Sequence, residues 1–166
     1  MQAVLSAGVM TGLNDTDTAH LRRAIALAHQ ARELGSRPFG AIAIDIAGTL
    51  IAESRNSTQI SGNPTEHAEI VAINAAWAAG NVDALRGATV YASGEPCPMC
   101  AAALVLAGVT RIVFAAAATD ISAVLGEEPM FDITCAALIA TTPVPIVVSG
   151  PHFGDHALQP FRDSIA

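Results

Sequence analysis

The sequence predicts an α/β protein in three layers, a five-stranded mixed sheet with helices on both faces, and three observations carry that expectation. Apolar residues form 52% of the 166 positions and aromatics only 4%, so Ala, Val, Ile and Leu must fill the interior. Helix-like and strand-like apolar runs alternate as α-β-β-α-β-α-β, which places helices over the faces of a mostly parallel sheet. Two short apolar runs flanking Ala47-Gly48 add an antiparallel hairpin at one side. A single domain over 1–166 is expected, with its core at about 18–150 and a C-terminal tail at 151–166.

Each element has a local reason. Thr16 or Asp17 is an N-cap candidate for a helix reaching about Leu34, with Leu21, Ile25, Ala28 and Leu34 near helical spacing and Gly35 as the stop. Ala41–Asp45 and Leu50–Ser54 are the hairpin strands. Asn63-Pro64-Thr65-Glu66 offers a cap, a proline suited to the first helical position and an acid for the first turn, predicting a second helix that ends near Gly80. Ala88–Ser93 is the next strand, Cys97–Ala107 a helix stopped by Gly108, and Arg111–Ala117 a further strand. Val144–Ser149 reads as the fifth strand, and 152–165 as a terminal helix interrupted at Pro160.

Bulk properties exclude several classes. Eight basic against fifteen acidic side chains give a net charge of −7, which repels phosphate backbones, so no nucleic-acid partner is expected. Mean hydropathy is +0.46, and the one stretch apolar enough to suggest a membrane span is Ala101–Ala118. Gly108 and Arg111 interrupt it, and a central charge costs about 2.5–3.5 kcal/mol on insertion, so no membrane association is expected. The first ten residues lack the basic start of a secretory signal, and three cysteines, two of them in a C-x-x-C, suit a reducing compartment; a cytoplasmic protein is expected.

His67-Ala68-Glu69 opens the second helix and Pro96-Cys97-Pro98-Met99-Cys100 opens the third. With Pro98 at the first helical position, Cys97 falls at the N-cap and Cys100 one turn on, facing the same way. Two thiolates and an imidazole suit Zn²⁺ better than Mg²⁺ or Ca²⁺. His67 and Glu69 are two apart and share no helix face, so they converge only at a helix tip. If the two tips meet beside the ends of their preceding strands, His67, Cys97 and Cys100 surround one ion and Glu69 lies just outside its shell. Three protein ligands leave the fourth tetrahedral position to water, whose pKa zinc lowers towards 7; Glu69 then takes a proton from that water and returns it to a leaving amine. Backbone N–H groups near Ala68 and Met99 are the candidates for stabilising developing negative charge.

These paired motifs resemble the cytidine and deoxycytidylate deaminase superfamily. Arg37-Pro38-Phe39-Gly40-Ala41, Asn56, Pro64-Thr65-Glu66-His67-Ala68-Glu69 and Glu95-Pro96-Cys97-Pro98-Met99-Cys100 are similar to its guanine deaminase branch. The resemblance covers roughly 18–120; beyond Phe131 no motif aligns. It implies a cytidine-deaminase-like fold, one Zn²⁺ per chain, a homodimer, and a free nucleobase substrate: guanine first, then cytosine, isocytosine or another small amino-heterocycle such as a pterin or triazine, and a tRNA adenosine third. It also implies substrate contacts from Asn56 and from Asp120 in Thr119-Asp120; Phe39 and the backbone at Ala68 are further candidate substrate contacts.

Plainer readings stand beside these. The C-x-x-C and H-x-E can form a closed structural zinc site in an interaction module, with Cys135 or one of His20, His29, His152 and His156 as fourth ligand; Cys135 itself reads better as a small core residue. Asn56 can be a turn residue and Asp120 the cap of a helix at 120–122. Trp77 reads as core rather than stacking platform. Phe39 either walls the pocket or packs beneath the first strand, and Phe153 and Phe161 are tail anchors or pocket lids.

Overall fold

In the computed structural model, residues 12–166 are described. The opening segment, read above for its lack of an export signal, lies outside them. The strands are β1 (Gly40–Ile44), β2 (Leu50–Arg55), β3 (Thr89–Gly94), β4 (Arg111–Ala116) and β5 (Val147–Ser149). The helices are α1 (Asp15–Glu33), α2 (Thr58–Ser61), α3 (Ala68–Ala78), α4 (Pro98–Ala107), α5 (Ala118–Leu125), α6 (Cys135–Ile139) and α7 (Asp155–Ser164), with a 3-10 turn at Val82–Leu85.

The sheet runs β2-β1-β3-β4-β5. β1 is antiparallel to both its neighbours, while β3, β4 and β5 are parallel, so the sheet is evenly mixed rather than mostly parallel. The cause is that the crossover from β2 to β3 passes over β1 instead of adding a strand beside β2. β2 and β3 therefore point the same way on either side of β1, and α3, α4 and α5, which follow β2, β3 and β4, all start from one end of the sheet. Such ends are where open α/β sheets bind ligands.

Each face buries an apolar layer. Leu21, Ile25 and Leu27 of α1, Ile121 of α5 and Phe161 of α7 pack on Ile42, Tyr91 and Val113. On the opposite face Ala76 of α3, Ala101 and Leu104 of α4, and Cys135 and Ile139 of α6 pack on Ala43, Val90 and Ile112. β1 is buried along its whole length because it has a covered face on both sides and a strand on both edges.

Several local expectations change. α1 starts at Asp15, capped by Asn14, whose side chain accepts from the Asp17 amide while the Asp17 carboxylate accepts from the Asn14 amide; Asp17 closes a capping box rather than serving as the cap. α3 begins at Ala68, not at Pro64: the Glu66 amide returns to the Asn63 carbonyl and the His67 amide to the Thr65 carbonyl, so 63–67 closes tight turns and the helical ladder starts only from His67. α4 matches its expected limits, with Cys97 as N-cap, Pro98 in the first turn and Gly108 left-handed at the C-cap. The apolar stretch at 101–118 is therefore helix, turn and buried strand, and no helix among the described residues is long and apolar enough to cross a membrane. The fifth strand shortens to Val147–Ser149. α7 runs through Pro160, which together with Phe161 is buried against the core; that packing offsets the backbone bond the proline lacks. Trp77 is not core: it is 72% exposed on the outer side of α3.

Candidate metal and active site

His67 is the N-cap of α3 and Cys97 the N-cap of α4, so the two helix tips meet. His67 Nδ1 lies 3.5 Å from Cys97 Sγ and 3.6 Å from Cys100 Sγ, and the three donor atoms fall within 4.8 Å of one another. Zn–N bonds near 2.0–2.1 Å and Zn–S bonds near 2.3 Å at tetrahedral angles separate the donors by about 3.6 Å, so the residues present fit a zinc ion. Cys135 does not belong to this group. It is buried in the α4–α6 layer, and burial pushes its thiol up to about 12, as for an inert core cysteine. His20, His29, His152 and His156 are also outside it.

Protonation at the three donors follows their contacts. Hydrogen bonding from Cys100, and then from His67, lowers the Cys97 thiol to about 4, and the same Cys97 contact pushes Cys100 far above the ordinary thiol range. One proton thus serves two sulfurs, and a cation between them would take its place. Glu69, in the first turn of α3, is 5% exposed. Desolvation raises its carboxyl above the usual carboxylate range, which suits a group that must hold a proton as well as release one. Of the first-turn amides, which have no intrahelical acceptor, that of Glu69 donates to its own carboxyl and that of Cys100 to the Cys97 sulfur, while Pro98 has none to give. The Ser54 hydroxyl, buried on β2, donates to the Ala68 carbonyl at 2.6 Å and fixes the α3 tip on the sheet.

The other sequence-derived candidates sit at the same end of the sheet but on different walls. Asn56 directly follows β2 and is buried; its Oδ1 accepts from the Ser36 hydroxyl at 3.0 Å and from the Thr58 amide and hydroxyl at 3.1 and 2.8 Å. It thus has the turn role, with its NH₂ outside that set of bonds. It lines a hollow of about 350 Å³ together with Arg23, Glu53, Arg55, Ser57 and Ile60. Asp120 is exposed in the first turn of α5 and does not cap it, since the N-cap is Ala117. It borders a second hollow, of about 340 Å³, with Ala115, Ala116, Pro151 and Asp155. None of the three metal-type donors lines either hollow.

Phe39 precedes β1 and lies across the end of β3, with the Phe161 ring edge-on at 5.1 Å and the Arg37 guanidinium 5.9 Å from its centroid. A Cβ at Gly94 would come within 2.8 Å of the Phe39 ring, so that glycine is what lets Phe39 approach the loop leading to Cys97. Phe161 is fully buried and anchors α7; Phe153 is half-buried beneath the Arg22 guanidinium.

A mixed five-stranded sheet with three helices starting at one end, and an imidazole, two thiols and a buried carboxyl at two of those tips, is the arrangement expected of the deaminase class. Residues 14–116 match the cytidine and deoxycytidylate deaminase zinc-binding region, and the chain belongs to that family. It is 32% identical over 155 residues to a probable cytosine deaminase of Schizosaccharomyces pombe, covering 92% of this chain and 94% of that one. It is 39% identical over 101 residues to the guanine deaminase of Bacillus subtilis, covering 60% of this chain and 64% of that one. A tRNA-specific adenosine deaminase of the same organism is 40% identical over 100 residues, covering 60% and 62%. Among solved structures, a guanine deaminase from Nitrosomonas europaea shares the fold over 98% of both chains, with a TM-score of 0.75 at 22% identity.

Proposed function

We propose that this chain is a zinc-dependent hydrolytic deaminase of a free nucleobase, with guanine as its substrate, giving xanthine and ammonia. The observation that carries the reaction class is the 3.5–3.6 Å spacing of His67 Nδ1 from two cysteine sulfurs, beside a carboxyl that is 5% exposed. His67, Cys97 and Cys100 would hold one zinc per chain. When bound, zinc supplies an acidified water as nucleophile. Glu69 would accept one proton of the attacking water and pass it to the exocyclic nitrogen, which would leave as ammonia; the water's second proton would end on the adjacent ring nitrogen as the ring carbon becomes a carbonyl. The backbone N–H groups near Ala68 and Met99, at the tips of α3 and α4, would stabilise the charge that develops on the ring. Asn56, whose NH₂ is not used in its turn, Phe39 and the backbone at Ala68 would orient the base, and although Asp120 borders a different hollow from Asn56, its carboxylate would accept from the base's N–H donors, the contact the guanine deaminase resemblance implies.

Guanine is favoured by the motif context of His67 and Cys97 and by Asp120, since guanine offers N1–H and an exocyclic amine to a carboxylate. Cytosine is the second reading, favoured by the likeness to the S. pombe protein along 94% of its length. A tRNA substrate is disfavoured by charge: all eight basic residues are arginines, and five of them, Arg23, Arg37, Arg86, Arg111 and Arg162, are ion-paired with carboxylates. The family resemblance further implies a homodimer. Ammonia release from guanine, cytosine, isocytosine, a pterin and a triazine tests the substrate. Asp120→Asn is expected to lower guanine turnover at least about tenfold, the worth of one bond to a charged group, with zinc content unchanged. A wild-type chain that ignores guanine and deaminates cytosine replaces guanine with the second reading.

A further inference from the structure

We infer that Glu95 is a positioning residue that holds the substrate wall on α5 at a set distance from the metal loop; this rests on the deaminase reading above. Glu95 leaves the end of β3 two residues before Cys97, and its own amide donates to the Ala116 carbonyl at 2.8 Å, extending the β3–β4 ladder by one step. Its side chain then spans two further segments. Oε2 accepts from the Ala118 amide at 3.0 Å and Oε1 from the Cys135 amide at 2.8 Å. Ala118 and Cys135 are the first residues of α5 and α6.

Both amides belong to the set that a helix leaves without an internal acceptor. Ala117, the N-cap of α5, has no side chain to supply one, and Thr134, the N-cap of α6, is engaged with the Ala137 amide. Glu95 meets both needs from a third segment. Negative charge at a helix start is also favourable. The consequence for the site comes from where these atoms sit: the amide held by Oε2 is two residues before Asp120, and the carboxylate itself is two residues before Cys97. One side chain thus bridges the proposed substrate contact and a proposed metal ligand. Both oxygens are used as acceptors, so glutamine, with one acceptor and an NH₂ that would meet an N–H head-on, can keep only one of the two bonds. Aspartate, one methylene shorter, cannot reach both.

The test compares Glu95→Gln and Glu95→Ala with the wild type in the zinc-loaded full chain. It reads zinc content, amide hydrogen exchange at Ala118 and Cys135, and kcat and KM with guanine and cytosine. Zinc content is expected to stay at the wild-type level. One amide in Glu95→Gln, and both in Glu95→Ala, should exchange at least about tenfold faster. KM should rise about tenfold with kcat within about threefold, because substrate binding loses its wall while the proton shuttle stays in place. Faster exchange with unchanged kinetics would make Glu95 a helix cap and nothing more. Loss of zinc, or a fall in kcat with KM unchanged, would assign it to the metal loop instead; either result overturns the inference. If the wild type deaminates neither base, the deaminase reading is what fails. Glu95 is then judged on exchange alone, where unchanged protection in both variants refutes the tie.

Discussion

Glu69 and the three cysteines separate the enzyme reading from a closed zinc module at the scale of single residues. Glu69 is outside the group of three metal-type donors yet is buried against Cys100, with Cys97 and His67 nearby, so Glu69→Gln should keep the zinc and the fold while turnover falls by at least about 10²-fold. Metal analysis alongside an ammonia assay checks this, and a variant that loses its metal would show that the carboxyl is a ligand. Cys135→Ala should leave the zinc in place, whereas Cys97→Ala or Cys100→Ala should lose it and destabilise the fold, as measured by bound metal and thermal unfolding. These residues were legible in the sequence because their chemistry is local: a proline fixes Cys97 at a helix start, and i to i+3 spacing puts Cys100 on the same side. Glu95 was legible only as a letter in a motif. The amides that donate to it lie 23 and 40 positions away, and no pattern within a window joins Glu95 to Ala118 or Cys135.

The same distinction between local and distant causes governs the elements. α4 was readable at both ends, since Pro98 and Gly108 are start and stop signals in themselves. The start of α5 was not, because its first amide is satisfied from β3's loop rather than by a neighbour. Trp77 was misplaced for a related reason: α3 is apolar nearly all round, so its pattern does not show which side meets the sheet. α1 is tied down by another distant contact. Asp17 accepts from the Tyr91 hydroxyl at 2.7 Å and from both terminal nitrogens of Arg111 at 2.6 and 2.8 Å, clamping the first turn of α1 onto β3 and β4. The Arg111 bond, with help from Tyr91, lowers the Asp17 carboxyl from 3.8 to about 2. A depressed carboxylate contributes stability that is present above about pH 4 and is lost as pH falls through about 2, here on the order of 2 kcal/mol. Asp17→Asn should therefore cost about 2–3 kcal/mol in urea unfolding at pH 7. The gap from wild type should narrow as the pH is brought from 4 to 2, and a gap that stays constant would mean that Asp17 acts as a cap alone.

For the molecule as a whole, the inserted antiparallel β1 matters more than the helix count. It turns β2 and β3 the same way and so delivers α3 and α4 to one end of the sheet, which is what makes a site out of two motifs 30 residues apart. The alternation of elements announced an α/β fold; the position of β1 between β2 and β3 depends on pairing across the sheet and could not be read along the chain. The exposed Trp77 carries a last consequence, since it is the chain's single tryptophan and lies on the outer side of α3, 72% open to water. The protein therefore carries one intrinsic fluorophore, and its emission reports on that helix surface. An isolated chain should emit at the long wavelength of hydrated indole and be quenched freely by iodide. If the implied homodimer covers α3, emission should shift to the blue and become protected from quencher as concentration rises, with a midpoint equal to the dimer dissociation constant. A spectrum independent of concentration, in a sample that sediments as a dimer, would place the partner on another face.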